Sequence, residues 1–383
     1  MTLPSRANVV VVGGGVMGTS IAFHLAEAGV TDVLLLERNE LGSGSTSRAA
    51  GGVRAQFSDR ANIEISLRSL QLFDDFGVRP GQDIDLRKVG YLFLLTDDES
   101  VTTFERNIVL QNSLGVPSRM ISATEAKTLN PLIETDDVIA AAFSPSDGLA
   151  TPDSVVAGYA RAARRHGATL RTGIDVVGIT SEAGRITEVR TSAGTVTTSC
   201  VICAAGAWSR RLGAMAGIEL DVTPLRRQIL FTGPVPGLPP GIPMTIDFST
   251  TFYFHDEGPG VLLGMSDRDE SPGFHLDATD EFRERVAPFI ARRAPALLDA
   301  EVRGGWAGLY EVTPDHNAII GEAPGIDRFL YATGFSGHGF QQGPAVGEIV
   351  RDLYLGTPTA IDVSGMSADR FGRTELRPEF NIV

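Results

Sequence analysis

Residues 13–18 read Gly13-Gly14-Gly15-Val16-Met17-Gly18, and that spacing limits the start of the chain to very few architectures. A short β-branched run, 8–12, precedes it. The stretch 16–27 follows with Ile21, Leu25 and Ala28 at helical spacing and stops at Gly29. A second apolar run, 32–36, ends in Glu37. Strand, glycine turn, helix and strand within about thirty residues make a βαβ unit on a parallel sheet. The glycines permit the tight turn and let a pyrophosphate reach the free N–H groups of a helix N-terminus. Glu37 is placed to accept from ribose hydroxyls and disfavours a 2′-phosphate. Gly13, Gly15, Val16, Met17, Gly18 and Glu37 are therefore candidate dinucleotide contacts, and NAD and FAD share the pattern.

The chain is 383 residues long, enough for two domains. The fold class expected is α/β (α+β overall), and the apolar βα texture returns twice. A helix is expected at 153–166, with Pro152 in its first turn, followed by strands at 169–179, 186–191 and 195–204. The strand 329–333 then leads through a glycine loop to a helix at 345–355. Between these lie strands of a largely antiparallel sheet, at 89–95, 227–232, 245–254, 260–265 and 301–309. A helix is expected at 59–76, and Ser122 to Glu125 form a capping box. The expectation is a discontinuous Rossmann-type domain (1–85, 145–220 and 310–383). A second domain, 86–144 and 221–309, would carry the antiparallel sheet covered by helices.

A formal net charge of −14 argues against nucleic acid as a partner. No apolar run reaches the ~18 residues of a membrane span. With no signal-like stretch before residue 8, a cytoplasmic location is expected. Cys200 and Cys203 form a CxxC inside an apolar strand, where residues three apart face opposite sides, so neither zinc nor a disulfide is expected. The six histidines lack metal-ligand spacing, and no metal is expected.

Three further segments discriminate between cofactors. Residues 41–52 are small and hydroxylated, 201–209 is an apolar strand entering a glycine turn at Gly206, and 332–341 runs from a strand through glycines into a helix. With the N-terminal fingerprint, Ser-Pro-Ser-Asp-Gly at 144–148, Ala-Ala-Gly-Ala-Trp-Ser at 204–209, Tyr-Glu-Val-Thr-Pro-Asp at 310–315 and Thr-Gly-Phe-Ser-Gly-His-Gly-Phe at 333–340, the chain resembles the D-amino-acid oxidase (DAO-type) family of FAD-dependent amine oxidoreductases. Within it, the likeness is to the glycine oxidase, sarcosine oxidase and dimethylglycine dehydrogenase group.

The resemblance implies that Val16 and Met17 touch the pyrophosphate and that Glu37 and Arg38 flank the ribose. Ser45, Thr46, Ala50, Gly51 and Gly52 would line the diphosphate and isoalloxazine, and the Val176 backbone would meet the adenine. Ser336, Gly337, His338, Gly339, Phe340 and Gln341 would surround the flavin N1–C2=O edge. It also implies Arg54 as the holder of a substrate carboxylate, Tyr310 in the pocket and His338 over the flavin.

The chain departs from the family at three places. Gly308 stands where a tethering cysteine stands and no histidine lies within 40–60, so non-covalent FAD is expected. Leu262 replaces a lysine that promotes reaction with oxygen. Gln341 replaces a second carboxylate-binding lysine, which leaves Arg48 or Arg227 to supply the missing cation. The activity implied is oxidation of a C–N bond in a small secondary or tertiary amino acid (an N-methyl amino acid, glycine, proline or an iminodiacid). Hydride passes to flavin N5 and the imine is then hydrolysed. Oxygen or another acceptor would take the electrons, and the chain would work alone, as a homo-oligomer or with other subunits. The alternatives are a 2-hydroxy-acid dehydrogenase, a flavin subunit of a larger complex and a non-catalytic FAD-binding assembly factor.

Overall fold

The computed structural model describes residues 2–372 and 376–382. Val9–Val12 lies inside a six-stranded sheet ordered Ile319–Glu322, Phe329–Thr333, Val201–Cys203, Val9–Val12, Val33–Leu36 and Thr169–Arg171. The last five strands are parallel and the Ile319–Glu322 edge is antiparallel. These strands read as unbroken apolar runs because both faces are covered. Val9, Val11, Leu35 and Ile202 pack with helices Val16–Glu27, Arg60–Asp74, Pro152–Arg165 and Gly339–Leu355. Val10, Val12, Leu34 and Leu36 pack with the helix Ser209–Met215 and a three-stranded antiparallel sheet of Val176–Glu182, Arg185–Thr191 and Gly194–Thr197. Cys200 belongs to the first layer and Cys203 to the second, both free. Burial pushes the two thiols up to about 12 and about 11.

The second sheet has eight strands, ordered Val302–Val312, Thr223–Thr232, Gly260–Met265, Tyr253–Glu257, Met244–Asp247, Tyr91–Leu95, Ala140–Ser144 and Arg119–Ile121. All neighbours are antiparallel except Met244–Asp247 beside Tyr91–Leu95. Leu92, Leu94, Leu230 and Phe254 pack under the helix Asp280–Arg293. The alternate residues Tyr91, Phe93, Met244 and Ile246 form another cluster with Phe104 of the helix Asp98–Ser113.

Three expected strands are each two. The run 169–179 breaks at Gly173, which has φ +71°, and its halves enter different sheets. The run 195–204 breaks where the Thr198 hydroxyl accepts from Cys200 N and donates to Cys200 O. The run 245–254 turns back after Asp247, whose carboxylate accepts from Ser249 Oγ at 2.8 Å, with Thr251 at φ +62°. The last helix begins at Gly339, not 345, because Pro344 is tolerated inside it. The expected cap at Ser122 forms, accepting from Glu125 N at 3.2 Å, and Asp59 caps the helix Arg60–Asp74 by accepting from Ala61 N at 2.9 Å.

Candidate active site

A cavity of about 490 Å³ runs from the glycine turn of the first sheet to the face of the second. At its nucleotide end Gly13 has φ +114°, and a Cβ there would lie 2.2 Å from the Ala204 carbonyl oxygen. The helix Val16–Glu27 has no acid in its first turn and no cap from Gly15; Thr46 Oγ1 accepts from Val16 N at 3.2 Å. That helix end faces the cavity as an anion cradle. The Glu37 carboxylate accepts from Gly14 N at 2.7 Å and Asn39 N at 2.8 Å, so it fixes the turn as well as lining the groove. Arg38 lies 3.9 Å over the Trp208 ring, beside Val176 and Gly206 on the wall. These residues fit the adenosine diphosphate half of FAD.

The loop after Glu37 is pinned to the second sheet. Ser45 Oγ donates to Leu309 O at 2.6 Å and Trp306 Nε1 to Arg48 O at 3.0 Å, both across to the strand Val302–Val312. Arg48 lines the cavity and folds back onto the carbonyls of Ser43 and Gly44, bracing the loop. Ser45, Thr46, Ala50, Gly51 and Gly52 line the cavity. Gly308 lies against Arg48 Cβ, where an added Cβ would come within 2.9 Å.

Gly337, His338, Gly339, Phe340 and Gln341 line the cavity at the N-terminus of Gly339–Leu355. Gly337 has φ +102°, and a Cβ there would lie 2.5 Å from the Tyr310 ring. The neighbouring carboxyl of Glu311, which accepts from Thr333 Oγ1 at 2.8 Å, is held above its usual pKa by burial. Two expected contacts do not line the cavity. The Ser336 hydroxyl turns inward to Gly334 O and Thr313, holding the loop. Gly18 serves packing, since a Cβ on it would lie 1.8 Å from Gly13 O. Leu262 is also away from the cavity, opposite Phe231 and His255 in the sheet.

At the far end Arg54, Arg227, Tyr91, Tyr253 and Tyr310 line the wall with Ile229, Met244 and Ile246. Arg54 is buried over the Phe57 ring at 4.0 Å, and its guanidinium donates to Gln56 O and to Asn381 O. Gln341 Oε1 accepts from Arg54 N at 3.0 Å, so this side chain braces the arginine instead of acting as a second anchor. Arg227 lies 5.2 Å from the Tyr310 ring centre, and its buried Nε has no partner. Among the described residues neither arginine forms a salt bridge. Burial holds the hydroxyls of Tyr91, Tyr253 and Tyr310 above their usual pKa, keeping them protonated donors. His338 is held well below the usual value by burial and by Arg54 and His316, so its ring is neutral, with Nε2 unpartnered. No cluster of metal-binding side chains occurs among the described residues.

The sequence reading did not place Tyr91, Tyr253 or Glu311. Tyr91 leaves its mark on Gly52, where a Cβ would lie 1.6 Å from its hydroxyl, a constraint visible only once the fold brings the two together.

Residues 8–353 match the family model for FAD dependent oxidoreductase. The FAD-dependent oxidoreductase domain-containing protein 1 of Xenopus laevis is 34% identical over 99% of this chain and 85% of its own length. Among solved structures, L-proline dehydrogenase from P. horikoshii superposes with a TM-score of 0.92 at 38% identity, covering 98% of this chain and 100% of that one. Glycine oxidase from Geobacillus kaustophilus does so with 0.85 at 27%, covering 97% and 100%.

Proposed function

Because the chain belongs to the FAD-dependent oxidoreductase family, we propose that it oxidises the C–N bond of a small secondary amino acid such as proline or an N-methyl amino acid. The observation that carries this reading is the pair of arginines without a salt bridge, the buried Arg54 and the half-buried Arg227, on a wall otherwise made of tyrosines and aliphatic residues. A desolvated guanidinium without a counter-ion favours a ligand carboxylate. Arg227 takes the place of the cation absent at Gln341, and the tyrosine hydroxyls orient the substrate around it.

Bound FAD supplies the two-electron acceptor. The cradle at 13–16 and 45–52 would hold its phosphates, and Gly308 offers no tether. The N–H groups at the start of Gly339–Leu355 stabilise negative charge at that end of the cavity. Held well below its usual pKa, His338 is too weak a base to strip an ammonium, so in this reading the amine binds already deprotonated. The aliphatic wall excludes water until the product leaves. The free buried thiols are compatible with the expected cytoplasmic location, which cell fractionation tests.

Anaerobic mixing with proline, sarcosine, glycine and iminodiacetate should bleach the flavin with at least one of them. The unpartnered Nε2 of His338 favours a second reading, 2-hydroxy-acid oxidation, because a neutral imidazole can accept a hydroxyl proton. Bleaching by hydroxy acids alone would replace the first reading with the second.

A further inference from the structure

We propose that the extended segment 376–382 is a working part of the substrate site, a strap that sets the Arg54 guanidinium, with Glu379 and Asn381 as positioning residues. The inference rests on Arg54 binding the substrate carboxylate. Arg54 Nη2 donates to Asn381 O at 2.5 Å, so part of the arginine's donor fork is aimed by a residue 327 positions away. Asn381 is fixed in turn. Its N–H donates to Glu379 Oε1 at 2.8 Å and its side-chain oxygen accepts from Asn107 at 3.2 Å.

Glu379 anchors the strap. Its buried carboxylate accepts from Ser58 N at 2.9 Å, Ser58 Oγ at 2.6 Å, Asp59 N at 3.0 Å and Asn62 Nδ2 at 3.0 Å, around the N-terminus of the helix Arg60–Asp74. Every one of these neighbours is a donor, which suits a carboxylate and nothing else of its size. Its own N–H donates to Asp315 O at 3.0 Å.

Two of the strap's three large apolar side chains do not hold it. Leu376 is 39% exposed and Phe380 60% exposed. Docking is therefore polar, centred on one buried charge, and that charge is costly to bury unless all its partners are present. A segment attached this way seats in one register or releases. When it is seated, two of Arg54's donors point at Gln56 and Asn381 and fix the direction of the remainder. When it is released, the arginine is free to reorient and the pocket loses its aim.

The test uses the FAD-loaded full chain, with anaerobic flavin reduction followed against concentration of the substrate acid and of its methyl ester. Glu379→Gln keeps the shape but presents an amide NH2 to donors. It should raise the half-saturating acid concentration about tenfold to a hundredfold, as for the loss of a hydrogen bond to a charged group. The ester's constant and the limiting reduction rate should stay as in the wild type. Glu379→Asp should restore part of the effect, and Ser58→Ala, a milder change, should lie between. Flavin content and thermal melting confirm that each variant is folded. Wild-type acid binding in folded Glu379→Gln, with Arg54→Met still impaired, would overturn the strap and leave the role of Arg54 standing. If Arg54→Met itself binds the acid normally, both fall.

Discussion

Arg227 is the residue on which the substrate assignment is most exposed to test. Its Nε has no partner in a cavity wall it shares with Arg54, tyrosines and aliphatic groups. Truncating one member of a desolvated charge pair costs about 2–5 kcal/mol, or roughly thirtyfold to several thousandfold in the binding constant. Arg227→Met should therefore raise the half-saturating concentration of the acid by at least that lower figure and leave its methyl ester unaffected, measured by flavin bleaching. Arg227→Lys should recover only part, because an ammonium lacks the planar fork. Equal constants for acid and ester in the wild type would remove the carboxylate from the recognition scheme. The family resemblance made Arg54 visible, two residues after Gly52, and offered Arg227 only beside Arg48 as a replacement for the cation absent at Gln341. Its status depends on what fails to approach it, and that is a property of packing.

At the scale of elements, the cofactor half was legible because its chemistry is local. A turn that must pass a pyrophosphate near a helix end demands glycines within six residues. The substrate half is assembled from strands more than a hundred residues apart, and only sheet order brings Tyr91 beside Met244 and Tyr253. Strand ends were misjudged where a single residue reverses the chain inside an apolar run, as at Gly173 and Thr251. The contact between helices Val16–Glu27 and Gly339–Leu355 offers a test at this scale. A Cβ on Gly347 would lie 2.2 Å from Ser20 Oγ and 2.5 Å from His24 Nδ1. Gly347→Ala should lower stability by about 1–3 kcal/mol through overpacking, read as a lower denaturant midpoint with an unchanged slope. An unchanged midpoint would mean that the two helices separate without strain.

For the whole molecule, two buried groups give stability opposite dependences on pH. Burial holds His24 down to about 4, below its ordinary 6.5, so the unfolded chain binds this proton first. Its contribution is complete above pH 6.5 and is lost as the pH falls toward 4. Burial raises Asp147, behind Arg54, to about 6 despite hydrogen bonds from Ala55 N and Gln56. Its contribution is complete below the ordinary value of 3.8 and is lost as the pH rises through 6. Each is worth on the order of 3 kcal/mol, so wild-type melting should change little between pH 6.5 and 4 on their account. Asp147→Asn should make the melting temperature fall more steeply over that range, and His24→Gln should make it fall less. Parallel profiles for all three proteins would rule out both assignments.

The pleat of the eight-stranded sheet separates recognition from stability along single strands. On Thr223–Thr232, Arg227 and Ile229 face the cavity while Leu230 belongs to the hydrophobic layer behind. On Met244–Asp247, Met244 and Ile246 face it, with Thr245 between them buried and bonded to Asn130 at 2.8 Å. Substitution at Arg227 and Ile229 can thus change which amine is accepted without disturbing the layer behind, whereas Met244 and Ile246 also pack with Phe104 and change only together with it. The nucleotide cradle, carried by other strands, need not change with either. A lineage built on this scaffold can therefore diversify its diet while inheriting one cofactor, and a combinatorial library confined to 227 and 229 samples that same freedom in the laboratory.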